Sequence, residues 1–86
     1  MNREDEVAAV LFASALTPET LEGMKETLLS MGSEGMDRPD PSTRLGLVLI
    51  ALTTPCIDEP SEEEVATASP RVRALLTDEE RHRFEG

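Results

Sequence analysis

One cysteine, Cys56, and one histidine, His82, are the only thiol and imidazole in this 86-residue sequence. A thiol turns nucleophilic when a neighbouring base or cation holds it as thiolate. Cys56 follows Pro55 at the end of an apolar run, whereas His82 lies in the charged stretch EERHRFE, and no pattern brings the two together. Cys56 reads as a small residue closing the core, and His82 as part of a solvated face. With one of each, zinc has no ligand set.

Carboxylates are the abundant chemical groups. Asp58, Glu59, Glu62, Glu63 and Glu64 fall within seven residues, and Glu19, Glu22 and Glu26 recur at helical spacing. Paired carboxylates perform acid–base catalysis only inside a concave, partly dry pocket, which a chain this short does not readily build. The segment DRPDPSTR at 37–44 lacks the glycine and closing glutamate of a calcium loop. Gly32 and Gly35 lack the lysine and spacing of a phosphate loop. The expectation is therefore no catalytic residue, no metal and no cofactor, with these eight acids as candidate contacts for a partner.

Overall charge narrows the choice of partner. Eighteen acids against eight bases give a formal net charge of −10. Nucleic acids and anionic membranes are held by clustered Lys and Arg, so direct binding to either is not expected, and a basic protein partner is. Phe12 and Phe84 are the only aromatic residues, which removes stacking platforms for bases. A lone cysteine excludes an internal disulfide and suits a reducing compartment. The acidic opening MNREDEV is unlike a secretory leader. The thirteen uncharged residues from Leu45 to Ile57 fall short of the roughly 20 that span a bilayer. The expected location is cytoplasmic.

The elements that must position these acids are helices. Asn2 as cap, followed by acids, starts one over about Arg3 to Ala15, with Val7, Val10, Leu11 and Ser14 on one stripe and Phe12, Ala15 and Leu16 widening it. In LTPETL, Thr17 caps, Pro18 takes the first helical position, and Leu16 can pack on Leu21. The second helix then places Leu21, Met24, Leu28 and Met31 on a narrow inner seam and the three glutamates on the wet face, and Gly32 ends it ahead of a loop. Asp40-Pro41 starts a third helix, about 41–54, which carries LGLVLIAL and is apolar on all sides. A buried strand is the competing reading, disfavoured by the Leu and Ala content and by the lack of a second β-branched run. Gly23 and Gly46 inside helices suggest close backbone approach at crossings. Beyond Pro55, SEEE at 61–64, SP at 69–70 and TDEE at 77–80 each signal a helix start. Three short helices follow, in a segment, 55–86, that is thinner and more mobile than the rest.

The whole reads as a single all-α domain: a small compact bundle or orthogonal array of five to six helices around a central apolar helix. Two functions follow from different classes. The first is a non-catalytic adaptor or inhibitor that docks its acids on a basic protein surface, in a sharper form masking a nucleic-acid-binding groove with the glutamates of the second helix. The second is a self-associating structural or assembly-chaperone protein that uses Leu47, Val48 and Ile50 of the third helix as exposed apolar surface. In size and composition alone, the chain resembles small acidic helical inhibitors and assembly factors encoded by phages.

Overall fold

A computed structural model describes residues 3–36, 40–54 and 58–85, with side chains described outside 33–36. Five helices follow in order: α1 (Arg3–Ala15), α2 (Pro18–Met36), α3 (Arg44–Thr53), α4 (Glu62–Leu75) and α5 (Asp78–Glu85). Among the described residues there is no strand. No helix among them is long and apolar enough to cross a membrane.

Helix starts follow local hydrogen-bond chemistry. The Thr17 hydroxyl accepts from the Thr20 amide at 3.1 Å, with Pro18 in the first helical position where its missing N–H costs nothing. Ser61 and Glu64 form a reciprocal capping box at the start of α4. Thr77 and Glu80 form another at α5, where the Thr77 amide donates to Glu80 Oε1 at 2.8 Å and the Glu80 amide to Thr77 Oγ1 at 3.2 Å. The cap expected at Asn2 lies outside the described residues.

Three expectations change. The third helix begins after Thr43, not at Pro41, because the Asp40 carboxylate binds the Ser42 amide and hydroxyl in a tight turn while Thr43 Oγ1 accepts from the Gly46 amide. Its described end is Thr53, with Thr54 as the cap. The SP pair does not start a helix: Ser69 and Pro70 lie inside a continuous α4, so two described helices, α4 and α5, stand where three short ones were expected. Pro70 is exposed, and Ala68, Ser69 and Val72 are buried on either side of it, so packing on α1 is unbroken across a residue that costs a helix interior about 3 kcal/mol. Gly32 does break the helix with a positive φ (67°), but its ψ of −157° is extended instead of the left-handed helical value expected of a helix stop, and helical backbone resumes beyond it to Met36.

The core is built by α1 and α3 with contributions from α4. Helix α1 packs extensively on both α4 and α3 and also touches α5, while α2 packs on α3. Alanine at 8, 9 and 15 lets α1 lie close to its neighbours, and Val7 and Phe12 are fully enclosed. The buried stripe is thus rotated from the expected one: Val10 and Leu11 are only half-buried, and Ser14 is exposed, spending its hydroxyl on the Leu11 carbonyl. In α3, five consecutive residues, Gly46 to Ile50, are buried, as a helix apolar on all sides requires. The radius of gyration, 12.4 Å, is close to the about 12 Å of a packed chain of this length.

Helix α2 is thinly covered. Of its inner seam only Leu28 is fully buried; Leu21 and Met24 are half-buried, and Met31, expected in the core, is 48% exposed. The glycines also differ from expectation. A Cβ at Gly23 would meet nothing, whereas one at Gly46 would run into the Asp40 carbonyl and lie 2.7 Å from Thr43 Oγ1. The close approach at Gly46 is to its own preceding turn and not to a crossing helix.

Candidate functional site

The acids singled out in the sequence occupy two separate helices. Glu19, Glu22 and Glu26 are exposed on α2, one turn after another, so the helix geometry sets them along one stripe. Asp58, Glu59, Glu62 and Glu63 are exposed at and before the start of α4. Helix α2 packs on α3, and α4 on α1.

Glu64 differs from its neighbours. It is half-buried, receives Arg3 Nε at 2.7 Å, and accepts the Ser61 amide at 3.0 Å to close the α4 capping box. The hydrogen bond from Arg3, with the Ser61 amide second, holds its carboxyl at about 2. It pins α1 to α4, and its carboxylate is already engaged within the chain.

Most bases are engaged in the same way. Arg3, Lys25, Arg44, Arg71, Arg73 and Arg81 are paired with Glu64, Glu22, Glu80, Asp5, Glu85 and Asp78 respectively. In contrast, the side chains of Glu19, Glu26, Glu59, Glu62 and Glu63 make no hydrogen bond or ion pair among the described residues. Part of the negative surplus of the sequence is therefore displayed at these positions instead of being neutralised within the chain.

The most organised polar group joins residues 36 positions apart. Arg44 Nη1 donates to Glu80 Oε1 at 2.7 Å and to the Leu75 carbonyl at 2.6 Å, and its Nη2 donates to Glu80 Oε2 at 2.8 Å. Its guanidinium also lies 5.2 Å from the centre of the buried Phe12 ring. Glu80 is only 9% exposed, and the bond from Arg44 outweighs its burial and lowers its carboxyl to about 2. This node ties the start of α3 to α1, to the end of α4 and to α5. A capping-box signal at Thr77–Glu80 was visible, but nothing in the spacing of Arg44 and Glu80 marks them as partners.

Reactive chemistry is sparse. His82 is exposed on α5, and Cys56 lies outside the described residues. Among the described residues no group of three or more His, Cys, Asp or Glu side chains could hold a metal ion. A cleft of about 220 Å³ between α1 and α4 is walled by Glu4, Val7, Glu63, Glu64 and Arg71, and another between α1, α4 and α5 by Leu11, Val65, Arg73, Arg83 and Phe84.

Exposed apolar surface is not where the sequence placed it. Leu47, Val48 and Ile50 are at most 1% exposed, so they cannot serve a folded chain as a self-association face. Leu52 of α3 (47% exposed) and Leu29 of α2 (72%) take that place, bordering an apolar cleft of about 200 Å³ floored by Leu28 and Leu49 and edged by Lys25 and Thr53. Comparison with protein-family models, curated proteins and solved structures finds no match.

Proposed function

We propose that this chain is a non-catalytic docking module, an adaptor or inhibitor that sets an acidic helical surface against a basic protein. The observation that carries this reading is the division of its charges: six bases are held in pairs within the chain, while five glutamates, two on α2 and three at and just before the start of α4, stay exposed and unengaged among the described residues. Unneutralised charge of one sign steers an oppositely charged partner and speeds its encounter. In the sharper form of this reading the α2 row stands in for phosphates. Its acids follow one another at about 4.5 and 6 Å along the helix axis, against about 3.4 Å per phosphate along one strand of a duplex, so the mimicry is coarse.

Affinity capture with charge-neutralised variants tests the proposal. A basic protein should be retained at low ionic strength and released towards about 1 M salt, where the Debye length falls to about 3 Å. Glu19→Gln/Glu22→Gln/Glu26→Gln or Glu59→Gln/Glu62→Gln/Glu63→Gln should lose it. Retention that survives both triple variants and high salt, or recovery of a small metabolite in place of a protein, would overturn it.

Self-association is the second reading, and the exposure of Leu29 and Leu52 is what favours it. A second copy would bring like charge against like charge, so its assembly should strengthen as salt rises, opposite to docking on a basic partner.

A further inference from the structure

We infer that the cleft between α2 and α3 receives an amphipathic helix whose apolar anchors are followed, one and two turns along the same face, by Arg or Lys. This rests on the docking function proposed above and adds the form of the partner.

Three observations lead to it. First, Leu29 and Leu52 are exposed on either side of a cleft whose floor, Leu28 and Leu49, is buried. Met31, the other exposed large apolar residue among the described side chains, is two positions from Leu29 and so lies about 200° around α2, away from this cleft. Second, Glu26 and Glu22 stand three and seven residues before Leu29, on the same side of α2. They lie about 4.5 and 10.5 Å from it along the axis, which is one and two turns of a helix lying alongside. Third, the other ways of holding a peptide are not offered here. Strand addition needs a sheet edge, and none is present among the described residues. A polyproline segment needs an aromatic-lined groove, whereas Phe12 is fully buried and Phe84 belongs to α5. A helix satisfies its own backbone and presents only side chains, which is what a leucine-lined cleft between two helices can take.

Charge selects between a foreign helix and a second copy. Glu22 is partly engaged by Lys25 at 3.2 Å, but Glu26 is unengaged among the described residues. Lys25, the base at the cleft edge, is held by Glu22, so an approaching acidic surface of the same chain would still face a net negative row. An approaching basic helix would pair with it.

Fluorescence anisotropy with two synthetic peptides provides the test. One is an 18-residue helix former with Leu anchors and Arg three and seven residues away on one face; the other has the same composition and charge, rearranged to abolish the apolar face. The first should bind about tenfold more tightly. Leu29→Ala/Leu52→Ala should remove that difference while circular dichroism stays unchanged, because Leu29 is largely and Leu52 about half exposed. Glu22→Gln/Glu26→Gln should weaken both peptides and flatten their salt dependence. Equal binding of the two peptides, or a difference that survives Leu29→Ala/Leu52→Ala, overturns the cleft and leaves acidic docking standing. Binding of neither peptide overturns both. Dimerisation of the chain that strengthens with salt and is abolished by Leu29→Ala/Leu52→Ala assigns the cleft to a second copy and overturns the helix partner.

Discussion

Glu80 shows how much one side chain can hold. It caps α5, receives a two-pronged contact from Arg44, and is nearly buried, so removing its charge leaves a partly buried guanidinium without compensation. Breaking one partner of a fully buried pair costs about 3–5 kcal/mol, and Arg44 retains some exposure, so Glu80→Gln should cost about 2–3 kcal/mol. In a domain of this size each kcal/mol moves Tm by about 4–8 °C. The folded-state carboxyl, at about 2, lies below its ordinary 4.5, so the stabilisation is complete above that ordinary value and is lost as pH falls towards 2. Thermal melts should accordingly show the wild-type advantage over Glu80→Gln shrinking between about pH 4.5 and 2 and constant above it; a constant gap across that range would contradict the assignment. The glycines provide a paired case. Gly23→Ala adds a methyl where nothing stands and should stabilise by about 0.5–1 kcal/mol. Gly46→Ala pushes against the Asp40 carbonyl and should destabilise by about 1–3 kcal/mol, both read from denaturant midpoints.

At the level of elements, helix starts were legible at Thr17, Ser61 and Thr77, where the cap works within four residues and no neighbouring residue competes for it. The chain reads such signals locally, and so can an observer. Pro70 was misread for the opposite reason: what keeps α4 continuous is its long packed face against α1, a tertiary effect that spacing does not encode. Pro70→Ala restores an amide donor for the Ala66 carbonyl and a better helix former at an exposed site. It should raise stability by about 1–3 kcal/mol, visible as a higher Tm with unchanged or greater helicity. A drop in Tm would mean that the proline ring contributes packing that its exposure does not suggest. The third helix was shortened at its start because Asp40 serves the turn and leaves the capping to Thr43. Both residues are good caps, and their competition is decided by the geometry of the turn.

Across the whole molecule, the all-α class followed from apolar periodicity and cap chemistry, and the wet face of α2 from its glutamate spacing. The Arg44–Glu80 node, the Arg3–Glu64 tie and the leucine-bordered cleft were hidden because each joins residues distant in the chain. Which leucines stay exposed depends on how far α2 leans from the core, and LGLVLIAL reads the same along its length while burying Leu47 and exposing Leu52.

The placement of α1 has a consequence for how the chain is made. This helix leans on α3 and α4, so its buried face must wait for α4, whose buried Val72 lies about sixty positions beyond Phe12, before its cover is complete. At synthesis rates of about 5–20 residues per second, that wait lasts about 3–12 s. Through that interval the nascent N-terminal segment is open to chaperones on the ribosome, and the chain can close only after α4 has emerged.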